Sequence, residues 1–505
     1  MKKYDAIFIG TGSANIILEA ALEKGLKCAQ IEVGRFGGTC LTRGCIPTKI
    51  MVTAADYVRK SEDIHKIGVK ASKAEIDWDK MSQRVWSKIN ESEGLKNFYN
   101  KVKNLDVYEG MGYFLSDREI QVDLNSGGKS DVMSADKIFI GAGGRTNVPP
   151  IKNLEEVGYI TSESLFGEKY PDKPYKSLII VGGGPIGVEF AHVFSATGTE
   201  VNIIQRNVRL LPKEDEEISA QILNDVEKLG INVFLNSETL SIKIENGLKV
   251  LKFKNKETKE EFEVKGEEIL IAPGIKSNGD WLKLENTNIR CNEKGWIVTN
   301  EFLETSVDGI YAFGDINGLA QFRHKANYEA DILAHNLFIA ESIDDYRFAR
   351  YDLVPAVTYT YPQVANVGLT ETQARNAGYE LTVGTHHYSS TAKGYALGFE
   401  PGDPDDGFIK VVADKNTKEF LGVHAIGPEA SMLIQPFLNL MNTGELSIRV
   451  LNEDIGSETT NILRDKNHTR YLQPNLVTTV NETMVPHPAL SEVAMWTQYY
   501  VDFDR

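Results

Sequence analysis

Cys40 and Cys45 flank LTRG in the stretch GGTCLTRGC, residues 37–45. Thiols this close can be two buried reduced side chains, part of a metal clip, or a disulfide that opens and closes during a reaction. A zinc clip requires further Cys or His ligands at a second knuckle, and none follows at suitable spacing. The chain has 4 cysteines among 505 residues, a usage that fits a reducing compartment, where a close pair is more often catalytic or metal-binding than structural. The expected location is therefore the cytoplasm. Far along the chain, His487 and Glu492 in HPALSE offer an imidazole able to exchange a proton near neutrality and a carboxylate able to orient it. Taken alone, such a pair is more often a surface feature.

Two repeated segments would position these groups. Residues 5–32, DAIFIGTGSANIILEAALEKGLKCAQIE, read as strand, glycine turn, helix, strand, and residues 177–206, SLIIVGGGPIGVEFAHVFSATGTEVNIIQR, repeat that order. Each has the form of a dinucleotide-binding unit. One glycine permits the tight turn, the next lets backbone approach a pyrophosphate, and the helix N-terminus behind them attracts its charge. Gly10 and Gly12 serve in the first unit, and Gly182, Gly184 and Gly187 in the second. One such match is weak, whereas two in the same strand-to-helix context reinforce each other. Asn15 stands where the first unit would have its third glycine, a position that governs helix-to-strand packing.

The copies part at the end of the second strand. Glu32 in the first suits a ribose 2′-hydroxyl, while Gln205, Arg206 and nearby Arg209 in the second suit a 2′-phosphate. That favours NADPH, with NADH possible; the alternative is that these arginines are solvated surface charges. The strands DKIFIGAGGRT (136–146) and EILIAPGIK (268–276) end in small residues, where a sheet would run beneath a nucleotide or leave a domain.

The length predicts three or four domain-sized units, and a composition of 42% hydrophobic and 25% charged residues is that of a globular protein. A net charge of −16 repels phosphate backbones and anionic lipid, which argues against nucleic-acid and membrane-surface partners. The opening MKKYDAIFIGTGSANIIL mimics a signal peptide, but Asp5, Gly10, Gly12 and Asn15 break its apolar run, and it reads as a buried strand entering a helix. No apolar run approaches the roughly 18 to 20 residues of a membrane-spanning helix. After about residue 350 the text changes to strands such as VPAVTYT and FIKVVAD and a helical SMLIQPFLNLMNTG, without a glycine turn.

With these units in view, GGTCLTRGCIPTK resembles the redox-active disulfide signature of the FAD-dependent, class I pyridine-nucleotide disulfide oxidoreductases. TSVDGIYAFGDI (305–316) resembles the family's second FAD segment, and HKANYEA (324–330) its helix beneath the flavin. VTYTYPQVANVGLTE (357–371) resembles the opening of its dimerisation domain, and HPALSE (487–492) its histidine and glutamate signature. Within the family the text looks most like mycothione reductase or dihydrolipoamide dehydrogenase.

The resemblance implies an α/β fold with two Rossmann-like dinucleotide-binding domains and a C-terminal α+β dimerisation domain. Residues 1–150 and 277–350 would bind FAD, 151–276 NAD(P), and 351–505 would dimerise. It implies that electrons pass from NAD(P)H through FAD to a Cys40/Cys45 disulfide, with Cys45 toward the flavin and Cys40 attacking the substrate. FAD would be held by Gly10, Gly12, Ser13, Glu32, Gly38, Thr39, Lys49, Gly143, Gly314, Asp315 and His324. NAD(P) would be held by Gly182, Gly184, Gly187, Arg206, Arg209 and Gly274. Lys49 would place a cation at the flavin with Glu189 as its partner, although both could be solvated helix charges. His487, oriented by Glu492, is implied to complete the disulfide site of the other subunit of a homodimer. The substrate would be a small-molecule disulfide, mycothione-like or another low-molecular-weight one. The alternative is a dihydrolipoamide dehydrogenase acting with NAD as a subunit of a 2-oxo acid dehydrogenase complex. No metal is implied.

Two departures stand out. Thr42 and Arg43 replace the signature's usual asparagine and valine, putting a cation beside the pair. The approach to His487 is longer than usual by roughly 25 residues, and this insertion at about 452–480 would form a lid over the substrate groove, a dimer clasp or a surface excursion.

Overall fold

In the computed structural model, which describes residues 1–403, 405–456, 459–465 and 468–501, the first repeat folds as β1 (Lys2–Ile9), α1 (Ala14–Glu23) and β2 (Cys28–Glu32). The redox stretch supplies α2 (Gly38–Thr42) and α3 (Cys45–Asp63). Then come β3 (Leu105–Ser116), β4 (Glu119–Leu124) and β5 (Met133–Ile140). β1 pairs in parallel with β2 and β5, β2 with β3, and β5 with the strand Ile310–Ala312. β4 runs antiparallel, joining the second half of β3 to the start of β5. Apolar residues are continuous rather than alternating in β1 and β5 because a parallel sheet is covered on both faces. Gly10, where β1 turns into α1, has φ +106°, and a Cβ there would lie 2.5 Å from the Gly141 carbonyl oxygen. The turn therefore requires glycine.

The second repeat forms a four-stranded parallel sheet from Ser177–Val181, Glu200–Ile204, Asn232–Phe234 and Glu268–Ile271. Its helix, Pro185–Ala196, starts behind Gly184 with proline in the first turn, where the missing N–H costs nothing. The C-terminal sheet is antiparallel and five-stranded, in the order Ala356–Thr358, Gln363–Gly368, Phe420–Gly427, Phe408–Asp414, Leu381–His387. A shared apolar core joins the pieces: Met51, Val52 and Ala55 of α3 belong to one cluster with Phe190 and Phe194 of the second repeat and Tyr359, Val364 and Phe408 of the C-terminal sheet. No helix among the described residues is long and apolar enough to cross a membrane.

The insertion, of which 457–458 and 466–467 lie outside the described residues, contains the helix Thr460–Asp465 and the strand Thr469–Leu472, which pairs with Gly444–Ser447. Leu446, Ile448, Leu463 and Leu472 pack on Phe302 and Phe348. Asn452 donates to the Thr299 carbonyl at 2.7 Å, Asn300 to that of Ile455 at 3.0 Å, and Arg290 pairs with Asp454 at 2.7 Å. None of these residues lines the cavity described below. This segment packs on its own chain, its apolar residues Leu463 and Leu472 meeting Phe302 and Phe348.

Candidate redox site

The text from Thr39 onward reads as one helix, but the structure breaks it at Arg43 and Gly44, with Gly44 at φ −138°, ψ −116°. In an unbroken helix, residues five apart point about 140° from each other. The break lets the thiols converge: Cys40, Cys45 and His487 have their Sγ, Sγ and ring nitrogen atoms all within 4.8 Å of one another. Both cysteines are free thiols here. Cys45 is the first residue of α3, where the helix dipole favours a thiolate. Its pKa falls to about 6, chiefly through the hydrogen bond from Cys40, with Lys49, His487 and Arg323 adding positive charge against the cost of burial. The same hydrogen bond, with burial, pushes the Cys40 thiol well above its ordinary range. Both shifts favour the proton on Cys40 and the thiolate on Cys45.

Cys40 Sγ stands 3.1 Å from His487 Nε2, and His487 Nδ1 stands 2.5 Å from Glu492 Oε1. A proton on Nδ1 facing the carboxylate leaves Nε2 free to accept from the thiol. This contact lies within the one chain described here. Just past the insertion, Glu482 is held by Arg470 at 2.7 Å, and its carbonyl accepts from Asn442 at 2.8 Å. Beyond it, the Tyr359 hydroxyl donates to the Pro488 carbonyl at 2.5 Å and the His487 N–H to His324 Nδ1 at 3.4 Å.

His324 was expected at FAD but lies off the cavity. Its Nε2–H donates to the Pro355 carbonyl at 2.8 Å, and burial lowers its pKa to about 4. It is neutral and positions the backbone of His487. Lys49 also lies off the cavity lining. Its Nζ is 2.5 Å from Glu189 Oε2, whose other oxygen accepts the Tyr359 N–H at 2.9 Å, and it sits 4.5 Å from the centre of the Tyr359 ring. α3, the second repeat and the C-terminal sheet meet at this point. Tyr359 was not singled out from sequence, and an aromatic in a strand gives no signal of it.

A cleft opens beside the thiols, lined by Gly10, Gly12, Ser13, Glu32, Gly38, Thr39, Cys40, Cys45, Gly143, Gly314 and Asp315. Glu32 accepts from the Thr11 N–H at 3.0 Å and from its hydroxyl at 2.6 Å. A Cβ on Gly38 would stand 2.7 Å from the Gly12 Cα, so two backbones without side chains form the floor. Burial raises Asp315 to about 6. A long cleft with a glycine floor, carboxylates for hydroxyl groups and thiols at one end fits FAD. Thr42 is buried, with its hydroxyl donating to the Gly38 carbonyl at 2.8 Å, while Arg43 and Arg323 line the cleft.

At the second glycine turn, a Cβ on Gly187 would lie 1.9 Å from the Gly182 carbonyl oxygen, and Gly274 has φ +119°. Gln205 is buried and occupied: it accepts the Gly183 N–H at 3.1 Å and donates to the Arg209 carbonyl at 3.1 Å. Arg209 pairs with Glu216 at 3.1 Å. Arg206 is exposed, and its guanidinium makes no ion pair among the described residues.

Residues 4–330 match the profile of the pyridine nucleotide-disulphide oxidoreductases, and residues 354–459 that of the family's dimerisation domain. The chain is 30% identical to dihydrolipoyl dehydrogenase of Bacillus subtilis, over 86% of this chain and 90% of that one. It is likewise 30% identical to mycothione reductase of Mycobacterium tuberculosis, over 88% and 94%. Among solved structures it resembles the HOCl-induced flavoprotein disulfide reductase RclA from Escherichia coli in its Cu(II) complex. That likeness has a TM-score of 0.74 at 26% identity, over 99% of this chain and 100% of that one.

Proposed function

The chain belongs to the pyridine nucleotide-disulphide oxidoreductase family, and on that premise we propose that it reduces a low-molecular-weight disulfide with electrons from NAD(P)H through the Cys40/Cys45 pair. The observation that carries the reading is the line of contacts Glu492, His487, Cys40, with the Cys45 sulfur within 4.8 Å of both the Cys40 sulfur and the His487 ring nitrogen. Bound FAD would supply the two-electron relay between nicotinamide and disulfide, held by the glycine floor, Glu32 and Asp315.

The chain's own groups account for the sulfur chemistry. His487 Nε2 takes the Cys40 proton, and the new thiolate attacks one sulfur of the substrate, breaking its S–S bond and forming a mixed disulfide. The leaving thiolate takes the proton back from the imidazolium, which Glu492 stabilises. Cys45, already ionised, then attacks the Cys40 sulfur, expelling the second half of the substrate as a thiolate that takes its proton from water, and closing the Cys40–Cys45 disulfide. Lys49, neutralised by Glu189, sits where α3 meets the second nucleotide unit and holds the two in register. The dimerisation domain supports a homodimer, each chain of which carries its own histidine in this reading. Arg206 supports NADPH.

The test is an anaerobic titration with NADPH and with NADH, followed by turnover on lipoamide, glutathione disulfide and mycothione. Reduction of a small disulfide that vanishes in Cys45→Ser supports the proposal. Turnover confined to lipoamide with NAD would replace it with a dihydrolipoyl dehydrogenase.

The donor set favours a second reading. Two thiol sulfurs and an imidazole within 4.8 Å suit a soft metal ion, and the E. coli relative was solved with Cu(II). As substrate, two Cu(II) ions would take one electron each from the Cys40 thiol and the Cys45 thiolate, giving two Cu(I), the disulfide and the one proton of Cys40. Cu(II)-dependent NAD(P)H oxidation abolished by Cys40→Ser would support this, and its absence in the wild type would remove it.

A further inference from the structure

Arginines in this chain are generally matched by oxygen partners: Arg59 by Glu62, Arg145 by Asp280, Arg350 by Asp352, Arg470 by Glu482. In a protein of net charge −16 carboxylates are plentiful. Arg43 and Arg323 differ. Both are half-buried along the same cleft, and among the described residues neither guanidinium has a hydrogen-bond or ion-pair partner. Arg43 Nε is fully buried with nothing to donate to, as are the Nε atoms of Arg59 and Arg470, but those two pair through their other nitrogens and Arg43 does not, a costly state that an anion would relieve.

Their heads mark one part of the cleft. Arg323 Nη1 lies 3.5 Å from the Cβ position of Gly12, the glycine of the first turn, next to its close approach with Gly38. It opens the helix Arg323–Phe338, whose dipole adds positive potential at the same end. Arg43 Nη1 lies 3.5 Å from the Cβ position of Gly34, alongside Glu32 Oε1 at 3.6 Å. It therefore reaches from the redox loop back toward the ribose-binding carboxylate rather than out to the substrate. Between them lies the N-terminus of α1.

We propose that Arg43 and Arg323 clamp the diphosphate of the dinucleotide in the first site, making FAD retention in this chain depend on ion pairs. This rests on the reading of the cleft as an FAD site. Two guanidinium forks present bidentate donors to two adjacent phosphates, and Glu32, whose Oε1 accepts only the Gly34 N–H at 2.9 Å, keeps a lone pair for the ribose. Gly34 matters because a side chain there would displace the Arg43 head. Arg43, which the sequence placed only as a cation beside the thiol pair, is thus assigned to the cofactor.

The experiment measures binding rather than turnover: quenching of flavin fluorescence when FAD, or riboflavin as the phosphate-free probe, is added to apoprotein. Arg43→Val and Arg323→Ala are each expected to weaken FAD about ten-fold or more and to leave riboflavin unchanged, with Arg43→Lys retaining most of the affinity. Wild-type FAD affinity is expected to fall more steeply with salt than that of the double variant. Unchanged FAD binding in both variants, or equal losses for FAD and riboflavin, overturns the clamp. Should a variant fail to fold, competition on wild-type apoprotein decides, because ADP must displace FAD far better than adenosine does. Failure of the reductase reading would look different, as normal FAD binding without disulfide turnover.

Discussion

The ionisation of Cys45 can be tested through the group that drives it. The fall to about 6 has the hydrogen bond from Cys40 as its largest cause, against an ordinary thiol near 8.5. That gap corresponds to about 3 kcal/mol in favour of the thiolate. A hydrogen bond to a charged group is worth about 1.5 to 3 kcal/mol, so removing it should recover about one to two pH units. Cys40→Ala deletes the donor, and the Cys45 midpoint should rise to between about 7 and 8, held below 8.5 by Lys49, His487 and Arg323. Cys40→Ser keeps an O–H in place and should stay near the wild-type value of about 6. Each variant leaves Cys45 as the lone thiol of the pair, so the long-wavelength thiolate-to-flavin absorbance of the FAD-loaded protein, followed against pH, reads this ionisation directly. Identical midpoints in the two variants, or a midpoint at 8.5 or above in Cys40→Ser, would refute the assignment of the proton to Cys40.

Further outcomes follow from the same contacts. Because His487 reaches Cys40 of its own chain, mixing Cys40→Ser with His487→Ala protein under conditions that exchange subunits should restore no activity; a rise toward a quarter of wild type would show that the histidine works across the dimer. Glu214, buried and accepting from Asn366 at 2.6 Å, has its pKa raised to about 7 by desolvation. The folded state thus binds this proton more tightly than the unfolded chain near 4.3, and the stability it contributes, about 3 kcal/mol, is complete below that pH and lost as pH rises through 7. Glu214→Gln should therefore melt with wild type at pH 5 and above it at pH 8, and equal midpoints at pH 8 would exclude the effect. Arg206→Glu should lower kcat/KM for NADPH at least ten-fold with little change for NADH, whereas Arg209→Ala, already spent on Glu216, should shift the ratio far less; the reverse order of effects in steady-state kinetics would discard the assignment.

Local text made much of this protein legible. The two glycine turns could be read because a strand-to-helix turn against a neighbouring backbone tolerates no side chain at Gly10 or Gly187, a constraint written within a few residues. The thiol pair was visible for the same reason. Partners distant along the chain were not written in local text: Gln205 is held by Gly183, His324 by Pro355, and the apolar residues of the insertion by Phe302 and Phe348. Each of these turns on which group is nearer in space, and spacing along the chain carries no such information.

The sequence by itself determined the two nucleotide-binding turns, the thiol pair and the family, since these depend on residue types at short fixed intervals. Only the tertiary structure brought the two thiols and His487, some 440 residues away, within 4.8 Å of one another, tilted the proton toward Cys40, and turned Arg43 into the cofactor cleft. Charge, proton position and orientation are set by fields and contacts over a few ångströms, and it is the fold that chooses which groups lie within that reach.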